Sequence, residues 1–162
     1  MTLGILILAL VTLQRLGELW LSNRNTQRLL ARGAHEEGAA HYPLIVAVHV
    51  FWLASLWWLA PPRSVEGFWL ALFILLQLGR IWVIATLGRR WTTRIIVLPR
   101  EPLVRQGPYR FVNHPNYLVV IGEIAVLPLV FGLWWIAVLF SLLNAAVLSI
   151  RIREEGRALR RA

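Results

Sequence analysis

The segment GPYRFVNHPNYLVVIGE, residues 107–123, places a histidine, two tyrosines and two prolines directly before an apolar run. Pro115 suits the first position of a helix, whose free N–H groups and positive dipole end favour a ligand carboxylate. The rings of Tyr109 and Tyr117 can attract a cation, and His114 can exchange a proton. Taken singly, each of these three side chains is also typical of an anchor in the headgroup layer. Their convergence within nine residues favours a functional site.

Charged residues inside apolar segments are a second source of chemistry. Glu123 lies six residues beyond Tyr117, nearly two turns further along the same predicted helix. An unpaired carboxylate buried in a membrane is unfavourable, so Glu123 needs a partner. The candidates are Arg15, Glu18 and Arg80, of which the first two lie one turn apart on a shared helix face. These charges are interpreted either as a structural ion pair that fastens helices together or as part of a catalytic site.

The end of the last apolar segment, LSIRIREEGRALRR at 148–161, contributes a third group of charges. Arg151 precedes Glu154 by three residues and Glu155 by four, so the three side chains share a face on a continuing helix. A charged helix end beyond a membrane span is common, and the spacing alone leaves that interpretation open. The other arginines of this tail are predicted to face lipid headgroups.

Composition indicates a membrane protein. The chain has 162 residues, of which 58% are hydrophobic and nine are tryptophan, and its mean hydropathy of +0.62 is too high for a soluble domain of this size. All 17 basic residues are arginine. Because the arginines lie between apolar segments, membrane topology explains them and nucleic-acid binding is disfavoured. Cysteine is absent and the four histidines lack metal-ligand spacing, which disfavours a metal site.

Five apolar segments are predicted to be membrane spans, since about 20 residues cross a bilayer core. They run near 2–22, 43–60, 67–88, 116–132 and 134–150. Arginine is concentrated in 23–42, in 89–115 and in the C-terminal tail, and positive residues stay on the cytoplasmic side. The predicted fold is therefore an all-α integral membrane protein, one domain over 1–162, with an outside N-terminus and a cytoplasmic C-terminus.

The last two segments are predicted to form a tight helical hairpin, because Pro128 and Gly132 are the only helix breakers between them. Such a hairpin need not reach the far leaflet. The longest cytoplasmic stretch contains TTRIIVLP at 92–99, whose β-branched residues favour a short strand or an interfacial strip. The flanking PREP and QGPY are typical of turns.

GPYRFVNHPNY, followed by an apolar hairpin and then RIREEGRAL, resembles the isoprenylcysteine carboxyl methyltransferase family of integral membrane enzymes, in particular its bacterial branch. The resemblance is specific over about 94–159 and looser upstream. It implies a helical multi-pass protein of a bacterial inner membrane, with a short cytoplasmic cofactor-binding segment. It also implies S-adenosylmethionine as the cofactor, held by the last two spans and their flanks, and S-adenosylhomocysteine as the product.

The family's motifs assign cofactor contacts to several parts of the chain. These positions are Pro102, Leu103 and Val104, then Tyr109, then His114, Pro115, Asn116 and Tyr117, and finally Glu155. Arg151 matches the family's arginine near the substrate, and Arg151 and Glu123 are the predicted catalytic residues. The chain departs from the family at Asn113, where arginine is usual, so a cation beside the predicted pocket is missing.

Methyl transfer requires few catalytic groups, since the protein mainly holds nucleophile and methyl group in attack geometry and excludes water. Glu155 could accept hydrogen bonds from a ribose or an amino group, and Arg151 could orient a substrate carboxylate. A carboxylate acceptor is already a nucleophile at neutral pH. A phenol, with a pKa of about 10, would need a base such as His114 or Glu123.

We expect O-methylation of a lipophilic acceptor that enters from the bilayer, either a carboxylate such as a prenylcysteine or a phenolic or polyketide-type lipid. Membrane lipids are the expected surroundings. Two alternatives stay open at this point. A phosphatidylethanolamine-type N-methyltransferase shares the architecture and would methylate headgroups. A small non-catalytic membrane protein would use the charges as structural pairs and would not bind S-adenosylmethionine.

Overall fold

The structure, a computed structural model, describes residues 2–99, 101–102 and 104–161, with the backbone alone for 158–161. The described chain contains the helices α1 (Thr2–Leu30), α2 (Tyr42–Leu59), α3 (Gly67–Leu87), α4 (Pro115–Val130) and α5 (Trp134–Arg161). Its connections contain the strands β1 (His35–Glu37) and β2 (Ile95–Val97) and the 3-10 turns Ala39–His41, Gly88–Arg90 and Gly107–Arg110. The predicted all-α membrane fold is confirmed.

The lengths of the helices follow from continuous hydrophobic runs in the sequence. Four of the described helices, α1, α2, α3 and α5, are long and apolar enough to cross a membrane. The 16 residues of α4 span about 24 Å, which is less than a hydrocarbon core of about 30 Å. The fourth predicted segment is therefore an apolar helix that is shorter than a full span.

A tight turn joins α4 to α5, as the two helix breakers predict. Gly132 has a φ of 66°, a left-handed conformation that glycine adopts without strain. The N–H groups of Phe131 and Leu133 both donate to the Pro128 carbonyl at 3.0 Å, which closes the end of α4. The hairpin is central to the bundle, because α4 packs along α5 and also along α3.

The hydrophobic core lies at the hairpin end of the bundle. Its fully buried members include Leu8, Trp52, Leu56, Ile124, Leu127, Val130, Phe131, Leu133 and Ile136. Trp52 adds a hydrogen bond from its indole N–H to the Ile124 carbonyl, at 3.2 Å. Lipid is as apolar as these side chains, so close packing rather than exclusion of water holds such a core together in a bilayer.

The two strands pair in antiparallel fashion, with Glu36 opposite Ile96. β2 is the short strand that the β-branched residues favour, whereas β1 has no apolar alternation and was not predicted. Arg94 reinforces the pairing, since its guanidinium lies 2.9 Å from both Glu36 carboxylate oxygens and 4.5 Å from the Tyr42 ring centroid. The sheet fastens the connection after α1 to the connection after α3.

Successive helices run in opposite directions, so the connections fall at two ends of the bundle. Residues 31–41, residues 88–99 and 104–114, and the end of α5 meet at one end, where both strands contact α5. Residues 60–66 and 131–133 lie at the other end, beside the hydrophobic core. We call the first the arginine-rich end, and the candidate functional residues lie there.

Candidate active site

The centre of the candidate site is a hydrogen-bonded group of Arg151, Tyr117 and Glu155. Arg151 Nε donates to the Tyr117 hydroxyl at 3.0 Å, and that hydroxyl donates in turn to the Glu155 carboxylate. The Arg151 guanidinium carbon lies 5.7 Å from the Tyr117 ring centroid. α4 supplies the tyrosine and α5 the two charged residues, so the tight hairpin brings these side chains together.

His114 flanks this group at the start of α4. Its ring stacks on the Tyr117 ring, with centroids 5.1 Å apart and an interplanar angle of 13°, and its Nδ1 lies 3.8 Å from the Glu155 carboxylate. Pro115 begins the helix, as predicted. No side chain caps this helix start in the described chain, Pro115 has no N–H, and the Tyr117 N–H donates to the His114 carbonyl at 3.1 Å, which leaves the Asn116 N–H for an anionic group.

Thr93, in the connection before β2, ties the centre of the site to α1 and α2. Its carbonyl accepts a hydrogen bond from Arg151 Nη1 at 2.8 Å. Its hydroxyl lies 3.0 Å from the Tyr42 hydroxyl and 2.8 Å from the Ser22 hydroxyl, and its N–H donates to Ser22. Two acceptors on different elements therefore fix the Arg151 guanidinium, which is the preorganisation that ligand binding favours.

Tyr109 lies in the turn Gly107–Arg110, which packs against α3. Burial, with a smaller contribution from the charge of Glu155, raises the pKa of Tyr109 to about 12. The phenol is therefore protonated at neutral pH and can donate a hydrogen bond. Glu155 therefore affects both tyrosines of the GPYRFVNHPNY segment. It accepts a hydrogen bond from Tyr117, and its charge raises the pKa of Tyr109.

The turn that carries Tyr109 depends on Gly107. Its φ is 53°, and a Cβ at this position would meet the Thr86 hydroxyl oxygen at 2.5 Å and Trp82 Nε1 at 3.2 Å. We expect Gly107→Ala to lower the free energy of unfolding by about 3 kcal/mol, because left-handed strain and overpacking add. Thermal unfolding of the purified protein in detergent measures this loss.

Gly33→Ala is the matched control for this variant. Gly33 has a φ of 89° but open space around it, so alanine there meets backbone strain without a steric contact. We expect a loss of about 1 kcal/mol. Equal losses in the two variants would contradict close packing of the Tyr109 turn on α3.

A cavity of about 240 Å³ runs between the helices beside the site. Its arginine-rich end is lined by Arg151, Tyr117 and Thr93, and most of the remaining wall is apolar, with Ile45, Val46, Leu53, Val120, Val147 and Leu148. Leu16 of α1 and Val50 of α2 also line it, and they are 58% and 57% exposed. The cavity therefore opens at the apolar surface between α1 and α2.

Asn116 lines the same cavity from the first turn of α4. Its Oδ1 is buried and has no hydrogen-bond partner among the described residues. A buried acceptor without a donor costs about 1–3 kcal/mol. A ligand with an ammonium group would satisfy this oxygen while its carboxylate met the Asn116 N–H at the helix start.

Four charged side chains, Arg15, Glu18, Arg80 and Glu123, form a buried tetrad further along the bundle. Arg80 contacts Glu18 twice at 2.5 Å and Glu123 once at 2.8 Å. Arg15 contacts Glu18 at 3.0 Å and Glu123 at 2.8 Å. The two cations balance the two carboxylates and join α1, α3 and α4, which favours the structural interpretation of these charges.

The structure brings together most of the predicted site residues. Around the start of α4 lie Tyr109, His114, Pro115, Asn116, Tyr117, Arg151 and Glu155. The Pro102 carbonyl accepts a hydrogen bond from Arg90 at 2.9 Å, and Val104 is half-buried. Leu103 lies outside the described residues. Glu123 belongs to the tetrad, and its catalytic role stays a prediction; Asn113 is exposed.

Reasoning from the sequence missed several polar residues of the cavity wall, among them Tyr42, His49 and Thr93. No spacing in the chain indicates Thr93, because its partners Ser22 and Arg151 come from distant helices. Two of these residues could have been noticed as polar side chains in an apolar region: Tyr42 lies at the start of the second apolar segment and His49 lies within it. That indication does not distinguish a cavity residue from a headgroup anchor.

Comparison with known proteins gives one family. The sequence model of the isoprenylcysteine carboxyl methyltransferase (ICMT) family matches residues 69–161. The uncharacterized protein YpbQ of Bacillus subtilis (strain 168) is 38% identical over 159 residues, which cover 95% of each chain. An uncharacterized protein of Haemophilus influenzae is 28% identical over 151 residues, covering 90% of this chain and 88% of the relative. No solved structure gives a significant match.

Proposed function

Because the chain belongs to the isoprenylcysteine carboxyl methyltransferase family, we propose that it transfers a methyl group from S-adenosylmethionine to an oxygen atom of a lipophilic acceptor. One observation supports the more specific proposal of a lipophilic acceptor. The hydrogen-bonded group of Arg151, Tyr117 and Glu155 lies at one end of an apolar cavity, and that cavity opens between α1 and α2. A polar cofactor and an apolar acceptor can therefore meet there.

The residues at the start of α4 fit S-adenosylmethionine, which supplies an electrophilic methyl group on a sulfonium when it is bound. The Asn116 N–H at the positive end of the helix would donate to its carboxylate, and the unpaired Asn116 Oδ1 would accept from its ammonium. Tyr117 and Tyr109 would face the sulfonium, since aromatic rings attract cations. Glu155 would accept hydrogen bonds from the ribose.

On the acceptor side, Arg151 would orient the reacting oxygen. Its Nε and Nη1 are held by the Tyr117 hydroxyl and the Thr93 carbonyl, and its remaining N–H groups can donate to a ligand because Arg151 lines the cavity. The apolar wall would keep water from the methyl group and bind the acceptor's hydrocarbon part. Binding and orientation are the main tasks of such a protein.

The arrangement in the membrane is part of the proposal. The arginine-rich end would face the cytoplasm of a bacterium, where S-adenosylmethionine is made, and the N-terminus would lie outside the inner membrane. The opening between α1 and α2 would face lipid, so an acceptor could enter sideways. No soluble carrier is needed for such a substrate.

The proposed function is tested by incubating the purified protein with methyl-deuterated S-adenosylmethionine and a total membrane lipid extract. Mass spectrometry then identifies the molecules that gained the label. We expect label on a carboxyl or phenolic oxygen of a lipid-soluble molecule. Label on an amine headgroup would replace O-methylation by phospholipid N-methylation, and absence of both label and cofactor binding would leave the non-catalytic membrane protein.

A further inference from the structure

Asn144 is a polar side chain in the middle of α5 that the site described above does not use. It lines the cavity, it is only 6% exposed, and its amide makes no hydrogen bond to the described residues. The amide is not sealed inside the protein either, because the enclosed polar atoms without a partner in the described chain belong to other residues. Its small exposed surface therefore opens on the cavity, where an amide without partners is unfavourable.

The depth of Asn144 in the bundle follows from the contacts of Thr93. The Thr93 hydroxyl contacts Ser22 of α1 and Tyr42 of α2. Its carbonyl accepts a hydrogen bond from Arg151 of α5, so three helices meet at this level. Asn144 precedes Arg151 by seven residues. Seven residues are nearly two helical turns, or about 10 Å, so Asn144 lies on the same face of α5 and deeper in the bundle.

Two more polar side chains lie at that deeper level. His49 follows Tyr42 by seven residues on α2. Arg15 precedes Ser22 by seven residues on α1. Both directions lead away from the arginine-rich end, and both side chains line the cavity as Asn144 does. We call Arg15, His49 and Asn144 the inner polar layer. The wall between the two levels is apolar and includes Leu19, Ile45, Val46, Val147 and Leu148.

The inner polar layer offers both a donor and an acceptor to a bound molecule. His49 Nδ1 lies 2.8 Å from the Ile45 carbonyl oxygen, and a carbonyl only accepts, so Nδ1 carries the proton. In the neutral ring Nε2 is then an acceptor, and it has no hydrogen-bond partner among the described residues. Asn144 adds the two N–H donors of its amide.

A hydroxyl group matches these two side chains. It can donate its proton to His49 Nε2 while its oxygen accepts from the Asn144 amide. A carbonyl group has no proton to donate and would leave Nε2 without a partner. A carboxylate or an ammonium group would add an uncompensated charge, because Arg15 and Arg80 already balance the two glutamates of the tetrad.

We infer that the lipophilic acceptor carries a hydroxyl group in its hydrocarbon part, about 10 Å from the oxygen that is methylated, and that the inner polar layer binds it. The inference rests on the proposed function and narrows its substrate class. About 10 Å corresponds to about eight bonds of an extended chain. The cavity volume of about 240 Å³ holds only about eight water-sized groups, so a single extended chain fills it.

The rest of the chain leaves the cavity beside the inner polar layer. Leu16 and Val50, which line the opening between α1 and α2, are the sequence neighbours of Arg15 and His49. The hydroxyl is thus the last polar group that the protein encloses before the tail enters lipid. A plain hydrocarbon chain would leave Asn144 and His49 without partners, so the layer selects against it.

The first test locates oxygen atoms in the natural acceptor. Wild-type protein is incubated with methyl-deuterated S-adenosylmethionine and total membrane lipid extract, and fragmentation in the mass spectrometer maps each labelled product. We expect a hydroxyl about eight bonds from the methylated oxygen. Label only on molecules whose hydrocarbon part carries no oxygen would overturn the inference and leave the proposed function standing. A wild type that neither binds S-adenosylmethionine nor transfers the label would overturn both.

A second test needs no turnover. Palmitate, 8-hydroxypalmitate and 2-hydroxypalmitate are titrated into the complex of the wild type with S-adenosylhomocysteine. We expect the 8-hydroxy acid to bind at least about 10-fold more tightly than palmitate, because it gains two hydrogen bonds, and the 2-hydroxy acid to gain less than about 3-fold. If the wild type binds the 8-hydroxy acid no more tightly than palmitate, the inference is wrong.

Two variants assign this preference to the inner polar layer. Asn144→Leu and His49→Phe should each bind 8-hydroxypalmitate and palmitate within about 3-fold of one another, while binding of S-adenosylhomocysteine shows that they are folded. Ser149→Ala is the matched control, because this exposed hydroxyl of α5 donates to the Ala146 carbonyl at 2.7 Å, and it should keep the wild-type preference. A preference that persists unchanged in Asn144→Leu would overturn the assignment.

Discussion

Arg80→Met is expected to unfold in detergent under conditions in which the wild type is stable. Arg80 is only 5% exposed, and its guanidinium contacts Glu18 at 2.5 Å and Glu123 at 2.8 Å. Removing one cation from the tetrad leaves a buried negative charge without compensation, which typically lowers the free energy of unfolding by about 3–5 kcal/mol. The thermal unfolding midpoint of the purified variant, followed by circular dichroism, measures the loss.

The double variant Arg80→Met with Glu123→Leu provides the control. It removes one cation and one carboxylate, so the remaining Arg15 and Glu18 still pair at 3.0 Å and the net charge of the group is unchanged. We expect this variant to regain most of the lost stability, because a buried ion pair contributes little relative to well-packed apolar side chains. If the double variant were no more stable than Arg80→Met, the uncompensated negative charge could not be the cause of the lost stability.

The same double variant separates the two interpretations of Glu123. If Glu123 is structural, methyl transfer in the folded double variant should stay within about 10-fold of wild type. If Glu123 takes part in the chemistry, transfer should fall by about 100-fold or more although the protein is folded. Cofactor binding, measured alongside, shows whether the fold of the arginine-rich end is intact.

Features that depend on neighbouring residues in the sequence could be predicted. The helices follow from hydrophobic runs, the hairpin from Pro128 and Gly132, and the start of α4 from Pro115. The stacking of His114 on Tyr117 also links residues of a single turn. In each case the chain itself places the groups within reach, so pattern and spacing suffice.

Features that depend on how helices rotate and pack against each other could not be predicted. The sequence indicated partners for Glu123, but only packing decides that Arg15 and Arg80 both contact it. β1 lacks a strand pattern and exists because β2 lies beside it. The cavity and its lining by His49 belong to the space between helices, which no segment specifies alone.

Glu155→Ala is expected to weaken S-adenosylhomocysteine binding by about 10- to 100-fold. The carboxylate accepts the Tyr117 hydroxyl and lies 3.8 Å from His114 Nδ1, so its loss removes a proposed ribose contact and frees both neighbours. A hydrogen bond to a charged group contributes about 1.5–3 kcal/mol, which corresponds to this range of affinity. Isothermal titration calorimetry in detergent with the stable product measures the dissociation constant.

Glu154→Ala is the matched control, since the two glutamates are adjacent on α5 and carry the same charge. Glu154 pairs with Arg157 at 2.8 Å instead of with the start of α4, so its removal should change the dissociation constant less than about 3-fold. Equal weakening in both variants would mean that the overall charge of the helix end matters and that the contact with Tyr117 does not. Selective weakening in Glu155→Ala would instead support cofactor binding by the group that the α4–α5 hairpin assembles, because Glu155, unlike Glu154, joins the two helices through Tyr117 at the arginine-rich end.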